Sequence, residues 1–239
     1  MHKTISNIIN SFQKKLFHKK ETIQAHFIPY EIIGQNNKII INENGNERDL
    51  KNCEKINGLD IKISGNNNKI YISDKENFYN SIISITSSNC TIYFGCKFSN
   101  LRSINNLVVI IRNGDNQTLK IGDRTLLWGG NFVLDEKNSS LFIGDDCLLS
   151  SDISIWTADR HPIFDMKNNQ RINNISHPVS IGQHVWIGQG VRITKNALIP
   201  SNCIIGGGSI VSKMFKEENS IIAGNPAKII KTNVYWKHS

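Results

Sequence analysis

The chain has 239 residues, 39% of them hydrophobic, which is enough for one sizeable core, and a formal net charge of +8. The lysines and arginines are spread along the chain and no nucleic-acid-binding motif is present, so we expect anionic ligands and no nucleic-acid partner. The five cysteines have no metal-ligand spacing, which indicates reduced thiols in a cytoplasm and no metal.

The first predicted element is a short amphipathic helix, with a linker, within residues 1–30. Its apolar side chains recur at helical spacing at Ile5, Ile8, Ile9, Phe12 and Leu16. The segment lacks the apolar run of a signal peptide, and no stretch of about 18 apolar residues occurs in the chain. We expect the helix to dock on the protein or on a neighbouring subunit. The alternative is a peripheral contact with the inner face of a membrane.

Five segments of the first half share one pattern, in which asparagine precedes two apolar residues that flank a variable one. They are "NNKIII", "NNKIYI", "NCTIYF", "NQTLKI" and "NSSLFI", which begin at Asn36, Asn67, Asn89, Asn116 and Asn138. Asparagine tolerates the left-handed backbone of a tight corner, and the apolar pair suits a short strand with an inward face. We therefore predict a corner followed by a strand at each segment, and at the related "SHPVSI" from Ser176.

The intervals between these segments are 31, 22, 27, 22 and 38 residues, and the last contains "WTADRHPIFD". This stretch runs from Trp156 to Asp165 and includes His161. Residues that do not fit a closed coil must leave it as a surface loop, and loops on rigid scaffolds concentrate binding and chemistry. We therefore predict a protruding loop over residues 157–178 with a functional histidine.

A strict period of six follows the loop. One column holds Ile181, Ile187, Ile193, Ile199, Ile205 and Val211, and a second holds Val185, Val191, Ala197, Cys203 and Ser209. A hexad suits a strand and a turn, and three hexads close a triangular coil of about 18 residues that stacks on its neighbours. The pattern predicts an all-β solenoid over residues 31–213 with both columns inside, where Cys203 and the equivalent Cys147 would be inert.

The sequence resembles the hexapeptide-repeat acyltransferases, whose fold is a left-handed parallel β-helix, over roughly residues 121–231. "WTADRHPIFD" is similar to the family's catalytic-histidine loop and "QRIN" to its descending limb. "IGQHVWIGQG" is similar to a coil with a tryptophan at its edge, "IIGGGSIVSK" to the glycine-rich turn, and "AGNPAKIIK" to the loop that contacts coenzyme A. The wording "HPI" and "RIN" most resembles enzymes that O-acetylate capsule or lipopolysaccharide sugars.

The resemblance implies an acetyl-CoA-dependent O-acetyltransferase with His161 as general base, because an imidazole of ordinary pKa, near 6.5, suits that role at neutral pH. The thioester is already activated, so direct transfer needs no cysteine. Trp186 would belong to the catalytic site with His161, beside coenzyme and acceptor, or else be buried in a subunit contact. The resemblance also implies a homotrimer with its active sites between subunits, and an anionic polysaccharide, such as a sialic acid polymer, as acceptor.

The resemblance further implies a set of coenzyme-binding residues and a coenzyme-contacting tail at 214–239. The set comprises Trp186, Gly188, Gly207, Ser212, Lys213, Asn225, Pro226, Lys228 and Lys231. Lysine ammonium groups can pair with the phosphates of the coenzyme. Gly207 stands where the family usually has alanine and Lys228 where arginine is frequent, and lysine lacks the planar fork of arginine.

The remaining polar residues of the loop leave alternatives open. Arg171 either holds the loop closed or meets an anionic sugar, and Asp159 and Asp165 either orient the imidazole or are solvated turn residues. We count Arg171 and Asp159 as substrate-site candidates. For His177 and His184 we expect structural roles, and for Trp128 and Trp156 packing. Two rival functions remain, acetylation of a small acceptor such as a galactoside, nucleotide sugar or antibiotic, and a β-helix that only binds.

Overall fold

The structure, a computed structural model, describes residues 30–51, 54–96 and 104–238, so the predicted N-terminal helix lies outside the described residues. Within these ranges the chain forms strands and turns without a helix, and accordingly no described helix could cross a membrane. In chain order the strands are β1 (Glu31–Ile33), β2 (Lys38–Glu43), β3 (Asn46–Asp49), β4 (Leu59–Ser64), β5 (Lys69–Ser73), β6 (Phe78–Tyr79), β7 (Ser81–Ile85), β8 (Thr91–Phe94), β9 (Ile104–Asn105), β10 (Leu107–Arg112), β11 (Thr118–Ile121), β12 (Leu126–Leu127), β13 (Gly130–Asp135), β14 (Ser140–Ile143), β15 (Leu148–Leu149), β16 (Ile153–Trp156), β17 (Val179–Ile181), β18 (Trp186–Ile187), β19 (Arg192–Ile193), β20 (Leu198–Ile199), β21 (Ile204–Ile205), β22 (Ile210–Val211), β23 (Ile221–Gly224) and β24 (Ala227–Lys231).

The strands form three eight-stranded sheets, which we call A, B and C. Sheet A contains β1, β4, β7, β10, β13, β16, β19 and β22, sheet B contains β3, β2, β5, β8, β11, β14, β17 and β20, and sheet C contains β6, β9, β12, β15, β18, β21, β23 and β24. Successive coils pair in parallel, while the β2–β3 and β23–β24 pairs at sheet ends are antiparallel. The chain is therefore a parallel β-helix of triangular section, with edges A/B, B/C and C/A.

The register of sheet B confirms the intervals read from the asparagine segments. Lys38 pairs with Lys69, Lys69 with Thr91, Thr91 with Thr118, and Thr118 with Ser140, so each segment occupies the same place in successive coils. The apolar pairs of these segments all point inward. They are Ile39 and Ile41, Ile70 and Ile72, Ile92 and Phe94, Leu119 and Ile121, and Leu141 and Ile143.

The asparagines turn the corners as predicted. Asn36, Asn67, Asn89, Asn116 and Asn138 all adopt a left-handed backbone, with φ between 57° and 64°. Their amides also stack between coils: the Nδ2 of Asn36 donates to Oδ1 of Asn67, and that of Asn67 to Oδ1 of Asn89, both at 3.1 Å. The same side chain thus permits the corner conformation and, at Asn36, Asn67 and Asn116, ties the corner to the next coil.

Both hexad columns are buried, from Ile181 to Val211 and from Val185 to Ser209. Burying an isoleucine or valine stabilises the fold by about 1.5 to 3 kcal/mol relative to exposing it. Each column side chain packs against those of adjacent coils, so the core is continuous along the stack.

The buried thiols confirm the expected packing role of the cysteines in the small-residue column. Burial raises the pKa of Cys147 to about 12, and it also raises the pKa of Cys203 and of Cys90. We expect these three thiols to resist iodoacetamide in the native protein at pH 8, because only the thiolate reacts, whereas the exposed Cys96 should be accessible. Peptide mass spectrometry after alkylation measures this. Rapid modification of native Cys147 would contradict it.

Candidate active site

The predicted loop leaves the stack at the A/B edge, between β16 and β17. Pairing of Leu141 with Val179 across it spans 38 residues, against 18 for Ser180 with Leu198 in the next coil. The loop is a two-limbed excursion with an antiparallel bridge between Phe164 and Arg171. The extra residues pair with one another outside the coil, so the coil itself keeps its regular backbone geometry.

Asn173 joins the two limbs at the base of the loop. Its Nδ2 donates to the carbonyl oxygen of His161 and to Oδ2 of Asp159, both at 2.9 Å. Its Oδ1 accepts from the Ile163 N–H at 2.8 Å and from Nε of Arg171 at 3.1 Å. Asn173 is buried, with 8% of its surface exposed, and the four hydrogen bonds satisfy its amide. This side chain therefore fixes the main chain on both sides of His161.

Asp159 takes part in the same network. Lys195, which follows β19 at the same edge, places its Nζ 2.5 Å from Oδ2 of Asp159 and donates to the carbonyl of Asn173 at 2.7 Å. Partial burial opposes ionisation of Asp159, but the hydrogen bonds from Lys195 and Asn173 outweigh it and lower the pKa of the carboxyl. The carboxylate is thus a fixed anion in the loop base.

Arg171 connects the loop to the preceding coil. Its Nη2 lies 2.6 Å from Oε1 of Glu136, and this hydrogen bond raises the pKa of the guanidinium. Of the two alternatives for Arg171, the geometry supports holding the loop closed. Its proposed contact with a sugar, like that of Asp159, stays a prediction.

His161 is carried at the exposed side of this network. Its N–H donates to the carbonyl of Asp159 at 2.8 Å, and the intervening Arg160 has a φ of +68°. A hydrogen bond between residues i and i+2 whose central residue has a positive φ forms a strained γ-turn. Such strain costs on the order of 1 to 3 kcal/mol and is concentrated at functional sites. The main chain of His161 is pinned by Asp159 and Asn173, while the imidazole is exposed.

The other polar residues of the region have structural contacts. Asp165 accepts from the N–H of Lys167 through Oδ1 at 2.7 Å, the turn role considered for it. The N–H of His177 donates to Oδ1 of Asn196 at 3.0 Å. His184 occupies a B/C corner with a φ of 53°, and its ring stacks on Trp236 at 4.2 Å between centroids.

The candidate coenzyme residues Gly188 and Gly207 lie one above the other at the C/A edge. A Cβ on Gly188 would stand 2.7 Å from the Gly207 nitrogen, so neither coil could approach the other with a side chain there. A Cβ on the adjacent Gly208 would meet nothing within 4 Å. The edge therefore presents bare backbone to open space, which fits the close approach of a narrow chain such as pantetheine.

The other candidates lie further along the stack. Ser212 and Lys213 follow β22 at the A/B edge, and Lys213 places its Nζ 5.1 Å from the ring centre of Phe215. Asn225 and Pro226, joined by a cis peptide bond, form the turn of the β23–β24 hairpin, and Lys228 and Lys231 are exposed on β24. Sheet C thus continues to Lys231, within the segment assigned to the tail.

Trp186 lies on sheet C and is 39% exposed. The ring of Trp236, from the end of the chain, stands 6.3 Å away and is buried. Trp128 and Trp156 are also substantially exposed in the single chain, so the packing expected for them stays a prediction.

The structure brings most of the predicted site residues together in two groups, while Asn225, Pro226, Lys228 and Lys231 lie on the β23–β24 hairpin of sheet C. The loop with His161, Asp159 and Arg171 shares the A/B edge with Ser212 and Lys213. Trp186, Gly188 and Gly207 lie on sheet C and at the C/A edge. Sheet A separates them from the loop, and its face is about 15 Å wide at a rise of about 3.3 Å per strand residue.

Three residues of the region were not identified from the sequence. Asn173 lies within "QRIN" without a pattern of its own, Lys195 occupies a hexad corner, and Trp236 belongs to a segment without a repeat. The signal that could have indicated Asn173 is its polar side chain between apolar positions of the loop's returning limb.

No family model matches the chain. A polysialic acid O-acetyltransferase of Neisseria meningitidis is 32% identical over 180 residues, 75% of this chain and 80% of the relative. The crystal structure of the polysialic acid O-acetyltransferase OatWY superposes with a TM-score of 0.69 and 29% identity, over 89% of this chain and 92% of that one. The polySia-specific acetyltransferase NeuO superposes with a TM-score of 0.63 and 29% identity, over 88% of each chain.

Proposed function

Because this chain belongs to the polysialic acid O-acetyltransferases, a group of hexapeptide-repeat acyltransferases, we propose that it transfers acetyl from acetyl-CoA to a hydroxyl of an anionic surface polysaccharide. The acceptor class comes from the names of its relatives, which act on polysialic acid. A formal charge of +8 suits such an acceptor.

The observation that carries the proposal is the presentation of His161. The longest interruption of the coil stack is the loop between β16 and β17, and a hydrogen-bond network around Asn173 closes the base of this loop. The network fixes the backbone that bears His161 and leaves the imidazole outside it. A purely structural loop would not need a buried amide and a strained turn to hold an exposed histidine.

His161 is the proposed general base. It takes the proton of the acceptor hydroxyl as the hydroxyl oxygen attacks the thioester carbonyl, the new ester C–O bond forms, and the C–S bond breaks. The same imidazole then returns the proton to the departing sulfur of coenzyme A. Acetyl-CoA supplies an activated acyl group, so the buried thiols of Cys147 and Cys203 have no part in the reaction.

The proposed coenzyme residues lie at two edges and on sheet C. They are Trp186, Gly188, Gly207, Ser212, Lys213, Asn225, Pro226, Lys228 and Lys231. Gly188 and Gly207 supply close access to the backbone, and the exposed Lys228 and Lys231 can pair with phosphates.

A left-handed coil and a homotrimer complete the proposal. Trp186 and the glycine edge lie a face away from the loop of the same chain, so a neighbouring subunit's loop could supply the histidine to each coenzyme site. We place the enzyme in the cytoplasm, with contact to the inner membrane face through residues 1–30 as the secondary possibility. Size-exclusion chromatography with light scattering measures the subunit number.

The acceptor is identified by incubating purified protein with radiolabelled acetyl-CoA and matched acceptors. We expect label on polysialic acid, and at least about tenfold less on a neutral capsular polymer or on a galactoside, because an anionic chain is attracted to a cationic protein. Labelling should also weaken as salt rises. Preferential labelling of the galactoside would favour a small-acceptor enzyme, and no labelling of any acceptor would contradict the proposal.

A further inference from the structure

The residues after β24 run along the B/C edge in the direction opposite to the coil stack. The N–H of Val234 donates to the carbonyl of Asn219 at 3.0 Å, and Nε1 of Trp236 donates to the carbonyl of His184 at 2.9 Å. Nε2 of His238 then lies 3.4 Å from Oδ1 of Asp146, in the preceding coil. We call residues 232–238 the strap, because Val234, Trp236 and His238 attach it to the corners at Asn219, His184 and Asp146.

His184 presents both ring nitrogens to hydrogen-bond acceptors. Its Nδ1 lies 2.7 Å from Oδ2 of Asp146, and its Nε2 lies 3.2 Å from the carbonyl oxygen of Trp236. A neutral imidazole carries one N–H, while a carbonyl or an ionised carboxylate cannot donate. With the proton on Nδ1, the ring donates to Asp146 and the lone pair of Nε2 faces the Trp236 carbonyl. With the proton on Nε2, the ring donates to that carbonyl and the lone pair of Nδ1 points at the carboxylate of Asp146. A cation between Nδ1 and the carboxylate removes this conflict.

His238 supplies a third donor atom to the same point. Ligand atoms of Asp146, His184 and His238 all lie within 4.8 Å of one another, and the three side chains are 24% to 29% exposed. Zinc bonds of about 2.0 to 2.2 Å in tetrahedral geometry place ligand atoms roughly 3.3 Å apart. The 3.4 Å separation joins Nε2 of His238 to Oδ1 of Asp146, whereas the 2.7 Å separation joins Nδ1 of His184 to Oδ2. Zinc binding therefore requires the three side chains to shift until one set of ligand atoms, now within 4.8 Å of one another, reaches the tetrahedral spacing.

The surroundings of His184 agree with a ligand role. A histidine that binds metal through one nitrogen typically donates its other N–H to a carbonyl or carboxylate, which sets the tautomer and the ring orientation. The carbonyl of Trp236 is in that position, and the Trp236 ring stacks on the imidazole with an interplanar angle of 8°. Two imidazoles and one carboxylate are a donor set that suits zinc, with a fourth position for water.

We infer that Asp146, His184 and His238 bind one zinc ion that fastens the strap to the coil stack. The sequence alone indicated no metal because these ligands are scattered along the chain and meet only through the stacked corners. The ion would hold the Trp236 ring over sheet C, 6.3 Å from the Trp186 ring, and so fix the surface beside Trp186. Zinc binding at this point does not depend on the proposed acetyl transfer.

The test uses the full chain without a histidine tag, stripped with EDTA and dialysed. Isothermal titration with zinc chloride should give one ion per chain, and cobalt should give the visible absorption of a four-coordinate site. H238Q removes one ligand and should weaken zinc binding at least about 100-fold. H177Q, which alters an exposed histidine outside the cluster, should bind as the wild type does.

Thermal unfolding gives an independent readout. Zinc at about 100 times its dissociation constant should stabilise the wild type by RT ln(1 + [Zn]/Kd), whereas H238Q should gain little at the same concentration. His238 belongs to no strand, so this substitution should leave the β-helix intact, and far-UV circular dichroism checks that. Equal zinc affinity of wild type and H238Q would overturn the inference. So would a wild type that binds no zinc, which would identify the cluster as a set of side-chain contacts without a metal.

Discussion

Replacing His161 with alanine is expected to lower the turnover number about 10³-fold, because a positioned general base typically contributes about 10² to 10⁴ to such a transfer. The side chain is exposed and contributes nothing to the core, so the melting temperature should change little. The dissociation constant for acetyl-CoA should also stay within about twofold, because the loss is confined to proton removal in the transition state. Steady-state kinetics with the preferred polysaccharide, together with calorimetric titration of the coenzyme, measure both.

The matched control is His177→Ala, which removes an exposed imidazole at the returning limb of the same loop. It should retain more than about half of the activity. If His161→Ala kept near-normal turnover, or if His177→Ala were equally inactive, the assignment of His161 as the base would be wrong.

The second large effect is expected at Asn173. Alanine there removes four hydrogen bonds at the base of the loop and leaves the carbonyl of His161 and the carboxylate of Asp159 without this donor. Loss of such a buried group costs about 1 to 3 kcal/mol of local stability, and a displacement of about 1 Å at a reacting group can cost 10²-fold in rate. We expect the turnover number to fall about 10- to 100-fold.

Asn173 acts through His161, so its kinetic signature differs from that of simple unfolding. The KM for acetyl-CoA should change by less than about twofold, and limited proteolysis should cut the loop while the coil stack survives. Asn174→Ala, at the exposed neighbouring amide, should leave turnover within about twofold of the wild type. A fall in turnover that merely tracks the unfolded fraction would contradict a positioning role for Asn173.

The scaffold was largely predictable because its constraints are local and repeated. The hexad columns from Ile181 to Val211 and the asparagine segments from Asn36 to Asn138 report the same two requirements, an inward apolar side chain and a corner that accepts positive φ. Each requirement recurs in nearly every coil, so the sequence carries it many times. The interval of 38 residues located the loop for the same reason.

The site was less predictable because its contacts join residues that share no repeat. Asn173 bonds to groups 10 to 14 residues away across the loop, and Lys195 reaches Asp159 from a later coil. The position of Trp236 against His184 depends on the path of the strap, which follows no period. Such contacts are set by tertiary packing, and no periodic pattern in the sequence marks the residues that make them.

The antiparallel hairpins at β2–β3 and β23–β24 have a consequence for the solubility of the protein. A stack of parallel strands leaves unpaired N–H and C=O groups at its ends, which could template end-to-end polymerisation of one molecule on another. The antiparallel strands β3 and β24 occupy one end of sheet B and the opposite end of sheet C. A further coil cannot continue the parallel pairing at these two places. The same reversal limits the length of the solenoid.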